Sequence, residues 1–194
     1  MGILSADQIH EMGFASVGKN PKLSDKASFY NCQNINIGDN VRIDDFCVLS
    51  AGVGGIEIGS YIHIAVYSSL IGAGKISLDD FSNISSRVSI YSSNDDYSGL
   101  SMTNPTVPTE FTNVTHADVT IGRHVVIGAG SVLLPGITLE EGVAVGALSL
   151  VSKSCHAFGI YVGVPAKRIK DRKRELLTCE AGFISFLEKQ GCKG

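Results

Sequence analysis

The stretch IGRHVVIGAGSVLLPGITLEEGVAVGALSLVS, residues 121–152, decides the fold. Within it an aliphatic residue returns at Ile121, Ile127, Leu133, Leu139, Val145 and Val151, a constant step of six. Val125, Ser131, Ile137, Val143 and Ser149 stand two places before each of the later ones, and they are mostly small or β-branched. A helix face returns every three or four residues and a strand face every two, so neither period accounts for six. A short strand followed by a bend of about a third of a circle does account for it. Three hexapeptides then close one triangular coil, and the aliphatic residues stack in columns up its inside. Gly122, Gly128, Gly130, Gly136, Gly142 and Gly146 suit bends that need unusual backbone angles or close approach.

The same step runs upstream. Val17, Leu23 and Phe29 make a first coil, and Ile37, Ile43 and Leu49 a second. Ile58, Ile64 and Leu70 make a third, and Leu78, Ile84 and Ile90 a fourth. Extra residues, AGVGG at 51–55 and GAGK at 72–75, belong at corners, where insertions leave the stack undisturbed. Ser5 to Met12 reads as a short helix with Ser5 as N-cap and Gly13 as stop, laid over the open end of the coil. From Tyr91 to Asp118 the six-step stops; the segment carries Pro105, Pro108, aromatics and the pair Asp95-Asp96. So long a loop in a compact domain reads as functional. After GVPAKRI, a charged amphipathic helix is expected from Ala166, with a second helical piece from Glu180 to Gln190. The division is a β-helix domain over 1–165, with an active-site loop at 91–118, and a helical tail over 166–194.

The chain of 194 residues carries a net charge of −3 with 18% charged residues, which argues against nucleic-acid binding. No apolar run reaches membrane-spanning length and no signal-peptide pattern opens the chain, so a cytoplasmic location is expected. Cys32, Cys47, Cys155, Cys179 and Cys192 form no C-x-x-C, and Cys47 and Cys155 fall in the small-residue slot of the repeat. They read as wall residues rather than as disulfides, metal ligands or nucleophiles.

These hexapeptides and the GVPAK segment resemble the hexapeptide-repeat acyltransferase family, an all-β solenoid fold: a left-handed parallel β-helix. The resemblance implies acetyl-CoA as acyl donor, a homotrimer of parallel prisms, and active sites in the clefts between neighbours. It implies no metal. It places the CoA-contact positions of the sugar acetyltransferase branch on Ala129, Ala147, Ser152, Lys153, Lys167 and Lys170. Lys153 and Lys167 would meet phosphates as point charges. The position of the galactoside-type catalytic His is Asp95 here, that of the acceptor-binding Asn is Ala65, and that of a bulky cleft aromatic is Val126.

An aspartate, with an ordinary pKa of about 3.9, is a poor base for an alcohol, whereas burial or a neighbouring Asp96 would raise one of the pair. An amine acceptor lowers the demand. The expectation is therefore an N-acetyltransferase on a nucleotide-linked amino sugar. RIDDFCVLS, HIAVYSSL, IYSSNDDYSG and GVPAKRIKDRK are similar to the viosamine-type branch, which acetylates a dTDP-linked 4-amino-4,6-dideoxyglucose for O-antigen. The catalytic candidates are Asp95, Asp96 and His63, which precedes the inward Ile64 and so faces out; His116 and His124 are weaker. Turn capping is the alternative for Asp95 and Asp96, with catalysis slightly ahead of it on the aligned family position. An O-acetyltransferase on a sugar hydroxyl is the alternative, and a non-enzymatic scaffold is the third reading. A carbonic anhydrase of the same fold needs three clustered His, a spacing that His63, His116 and His124 lack.

Overall fold

A computed structural model describes residues 2–191; Cys192 lies outside the described residues. The chain winds as a parallel β-helix of three sheets, two of six strands and one of eight. The sheets form faces one, two and three of a triangular prism.

The register places the six-step residues in three vertical columns. Val17, Ile37, Ile58, Leu78, Ile121 and Leu139 pair in order on face one. Leu23, Ile43, Ile64, Ile84, Ile127 and Val145 do so on face two, and Tyr161 extends that column. Phe29, Leu49, Leu70, Ile90, Leu133 and Val151 do so on face three. Nearly all are buried, and together with Val41, Ile62, Val125 and Val143 they form one continuous core. Each coil is paired with the next by ladder hydrogen bonds, so stability is built rung by rung.

The corners differ from the sequence expectation in one respect. Gly130, Gly136 and Gly142 do adopt left-handed backbone, but so do Asn40, Phe46, Tyr61, Tyr67, Phe81, Arg87, His124 and Leu148. Bulky residues in this region cost on the order of 1 kcal/mol each, and they recur here because side chains at equivalent corners stack. Gly128 serves the other purpose, close approach: a Cβ there would lie 2.4 Å from the Ala147 backbone nitrogen.

The ends are closed as the N-cap signal predicts. Helix α1, Ala6–Glu11, has a reciprocal capping box between Ser5 and Gln8, and Gly13 ends the turn with φ of 68°. Ile9 of α1 is buried, and Leu4 and Phe14 pack on the first coil.

At the other end the sequence reading is corrected. Lys167–Asp171 is a strand, not a helix; it turns back antiparallel on Gly159–Val162 and covers the last open edge of face two. An unpaired sheet edge is a stronger local template than the helical charge pattern of a single short segment. Helix α2, Leu176–Gly191, follows. Cys155 is also shifted from its expected slot: it bridges to Leu139 and tops the aliphatic column of face one. Burial pushes both the Cys47 and the Cys155 thiol up to about 11, consistent with wall residues.

The 91–118 loop is partly ordered by its own pairing. Ser93–Asn94 runs antiparallel to Thr115–His116, which pinches the loop at its base. Among the described residues no helix is long and apolar enough to cross a membrane.

Candidate active site

Strand alternation turns the residue before each inward aliphatic outward. On face two this gives an outward row of Arg42, His63, Asn83 and Val126, in register on adjacent rungs. His63 Nε2 lies 2.8 Å from Asp44 Oδ2, and Arg42 Nε donates to Asp44 Oδ1 at 2.7 Å. The Asp44 side chain is only 14% exposed. Burial raises the Asp44 carboxyl, but the hydrogen bonds and charges of His63 and Arg42 together outweigh it and hold the group below the usual carboxylate range. An ionised Asp44 accepts the Nε2–H of His63 and leaves Nδ1 as the ring's acceptor. Asp44 and Arg42 were not singled out from the sequence. The signal was present all the same: the six-step that turns His63 outward also turns Arg42 outward one rung below it.

Asp95 follows face three, where the chain leaves the coil for the loop. Its side chain is exposed and borders a cavity of about 730 Å³ under the loop, walled by Ile71, Val107, Val114 and His116. The expectation that one of the two acids would be raised does not hold for Asp96. Its carboxylate accepts the backbone N–H of Ser98 at 2.8 Å and of Ser101 at 2.9 Å. Hydrogen bonds from Ser98 and then Ser101 hold it below the usual range, so Asp96 has the turn-capping job. His116 Nδ1 lies 2.8 Å from Ser93 Oγ, which also accepts the Ala73 N–H at 2.7 Å.

The CoA candidates divide between two edges. Ala129 and Ala147 are exposed at successive corners between faces two and three, where the Leu148 N–H bonds the Ala129 carbonyl at 2.9 Å. Ser152 and Lys153 are exposed on the opposite edge of face three, the edge from which the Asp95 loop leaves. Lys167 and Lys170 lie exposed in the returning strand. His63 belongs to face two and Asp95 to the far edge of face three, so one chain does not bring them together.

His124 is accounted for by structure. It stacks on Phe81 at 5.2 Å, and its Nε2 lies 2.8 Å from Glu180 Oε2 of α2. His156 pairs loosely with Glu140 at 3.3 Å on the surface. Among the described residues no group of three or more His, Cys, Asp or Glu is placed to hold a metal ion.

No protein-family model matches the chain. It is 61% identical over 183 residues to dTDP-4-amino-4,6-dideoxy-D-glucose acyltransferase from Escherichia coli, covering 94% of this chain and 95% of the relative. It is similar to AntD, an N-acyltransferase from Bacillus cereus. The AntD variant solved with dTDP-4-amino-4,6-dideoxyglucose and coenzyme A matches with a TM-score of 0.90 and 46% identity, over 95% of this chain and 98% of that one. AntD solved with dTDP and 3-hydroxybutyryl-CoA matches with a TM-score of 0.91 over 96% and 98% of the two chains. Other solved forms of AntD carry an aspartate replaced by asparagine or alanine. The rung register, the closing strand and these matches agree, and the chain belongs to the hexapeptide-repeat sugar acyltransferase family that includes dTDP-4-amino-4,6-dideoxy-D-glucose acyltransferase.

Proposed function

We propose that this protein transfers an acyl group, acetyl by default, from CoA to the amino group of dTDP-4-amino-4,6-dideoxyglucose, in the cytoplasm, for surface polysaccharide such as O-antigen. We propose further that it works as a homotrimer. The observation that carries the reading is that the candidates lie on separate sides of the prism: His63, Lys167 and Lys170 on face two, Ala129 and Ala147 at its corner with face three, and Asp95, Ser152 and Lys153 at the far edge of face three. Packing that face's edges against neighbouring copies brings the Ala129–Ala147 edge and His63 of one copy to the Asp95 and Lys153 edge of the next. The Ala side chains let the pantetheine lie close to the wall, and Lys153, Lys167 and Lys170 supply cations for its phosphates.

In that cleft the sugar amine attacks the thioester carbonyl. The C–N bond forms, the C–S bond breaks, and CoA leaves as the thiol. The nitrogen must shed one proton. Nδ1 of His63, held by Asp44, accepts it, and the Asp95 carboxylate of the adjoining copy orients the amine. Asp96 shapes the loop that presents Asp95.

The test is thiol release from acetyl-CoA with matched acceptors, one bearing the 4-amino group and one a 4-hydroxyl. The reading expects turnover with the amine and an N-acetyl product by mass spectrometry. Equal or faster turnover of the hydroxy sugar would move the assignment to an O-acetyltransferase.

A further inference from the structure

The two insertions that interrupt the six-step, 51–55 and 72–75, sit on successive coils and stack under the base of the 91–118 loop. The Gly52 N–H donates to the Gly72 carbonyl at 2.9 Å, and the Gly54 N–H to that of Ala73 at 2.9 Å. The upper insertion then grips both ends of the loop. On the outgoing side the Ala73 N–H donates to Ser93 Oγ at 2.7 Å, and the buried Ser92 hydroxyl donates to the Gly74 carbonyl at 2.7 Å. On the returning side the Lys75 N–H donates to Asp118 Oδ1 and the Val119 N–H to the Lys75 carbonyl, both at 2.8 Å. The Ala117 N–H donates to the Ser92 carbonyl at 3.0 Å and so joins the two ends. Gly74 permits this close approach: a Cβ there would lie 2.9 Å from the Ala117 carbonyl carbon.

Ser93 is the hub of this base. Its oxygen accepts from Ala73, and its one proton is left for His116 Nδ1 at 2.8 Å; no other acceptor for that proton lies within reach among the described residues. Nδ1 therefore accepts, and the His116 ring carries its proton on Nε2. Ser93 and His116 are also direct partners in the short antiparallel ladder, followed outward by Asn94 and Thr115. Asp95 is the first residue beyond that pairing, roughly 7 Å of extended chain from Ser93. Asp95 and His116 border the same cavity. Among the described residues the Asp95 side chain makes no hydrogen bond of its own, whereas Asp96 is held by Ser98 and Ser101. The place of the Asp95 carboxylate is thus set by the backbone that carries it.

We infer that Ser93 and His116 are positioning residues for the acyl transfer: their latch, seated on the stacked insertions, fixes where the loop presents the Asp95 carboxylate. The inference rests on the function proposed above. A carboxylate that orients an attacking amine works only from the right place, and a misplacement of about 1 Å costs on the order of 100-fold in rate. His116 acts through Asp95 and is not the base, because its Nδ1 is taken by the Ser93 hydroxyl and its Nε2 already holds a proton.

Thiol release from acetyl-CoA with the 4-amino sugar nucleotide, measured on the intact protein, tests this with paired variants. Oδ1 of Asn and Nδ1 of His stand equally far from Cβ along the side chain. His116→Asn therefore keeps an acceptor for the Ser93 hydroxyl and deletes Nε2, whereas His116→Ala deletes both. The expected kcat stays within about threefold of wild type in His116→Asn and falls about 10- to 100-fold in His116→Ala and in Ser93→Ala, with KM for acetyl-CoA unchanged. The double variant Ser93→Ala with His116→Ala should be no slower than either single one, because all three lose the same latch. Nitrogen NMR of labelled His116 should show a protonated Nε2 in the wild type and a mixture of tautomers in Ser93→Ala. If His116→Asn is as slow as His116→Ala, Nε2 meets the reacting atoms, and the positioning role is wrong while the transfer stands. Full activity in both His116→Ala and Ser93→Ala would show that the latch does not place Asp95. A wild-type protein that releases no thiol would sink the function proposed above, and this inference with it.

Discussion

Replacing Asp44 by Asn isolates what the Asp44 carboxylate does for His63. The side chain keeps its shape and loses its charge. In the native site it accepts two charge-assisted bonds, from His63 at 2.8 Å and from Arg42 at 2.7 Å. Buried, such bonds are worth about 1.5–3 kcal/mol each, but both partners are partly exposed, so the stability loss is roughly 1–2 kcal/mol in all. The catalytic loss is larger. An Asn can turn its amide toward Nε2 and so favour the tautomer that carries the proton on Nδ1, where the base is needed. General-base catalysis contributes about 10²–10⁴-fold, and losing the correct tautomer removes much of it, so kcat falls by roughly 10- to 100-fold with KM for acetyl-CoA unchanged. Thiol release at saturating acceptor gives kcat. Nitrogen NMR of labelled His63 gives the tautomer directly: protonated Nε2 in the native protein and a shift toward protonated Nδ1 in the variant. Full kcat in Asp44→Asn, alongside a dead His63→Ala, would refute the clamp and leave the base in place.

Further perturbations carry their own expectations. Phe183→Ala removes the edge contact of α2 with Tyr61 and Phe81; a stability loss of roughly 1–3 kcal/mol and faster proteolysis within α2 are expected, read by thermal melting and limited digestion. Gly128→Val drives a side chain into the Ala147 backbone, 2.4 Å from the ideal Cβ, so a lower melting midpoint and weaker CoA binding are expected by calorimetry. Asp44 and Asp96 are held below their ordinary values in the folded state, so each contributes stability above its unfolded pKa and loses it as pH falls through the lower folded value. Melting midpoints should therefore hold steady down to about pH 4 and drop below the reference value of 3.8; a midpoint rising on acidification contradicts the assignments. Lys167→Ala should weaken CoA more than a CoA analogue lacking a phosphate, because its expected partner is a phosphate.

The coil was legible because its signal is redundant. One inward residue per rung repeats from Val17 to Val151, so slips at the 51–55 and 72–75 insertions leave the columns intact. The end at Lys167 was misread for the opposite reason. A five-residue strand, alternating with nothing and exposed throughout, takes its form from the neighbouring edge of Gly159–Val162 rather than from its own residues. The corners were read through glycine alone, yet Phe46, Tyr67 and Arg87 hold left-handed backbone through stacking between coils, twenty or so positions apart in sequence. At the site, His63 was legible from its parity with Ile64. The Asp44 carboxylate that holds it lies in the same RIDDF segment as Asp45, and which of the two faces His63 depends on side-chain geometry. Asp95 and His63 lie on different sides of one prism, so the shared site proposed above needs a second copy, which no single-chain pattern encodes.

That proposed dependence on a second copy supplies the most direct test. His63→Ala and Asp95→Asn proteins, each inactive alone, are unfolded together, refolded as mixed assemblies and assayed for thiol release with acetyl-CoA and the 4-amino sugar nucleotide. A shared cleft predicts that activity returns in about a quarter of the clefts, those pairing an intact His63 from one copy with an intact Asp95 from the next. Mixed assemblies as inactive as either parent would contradict the shared cleft and the acyl transfer argued from it.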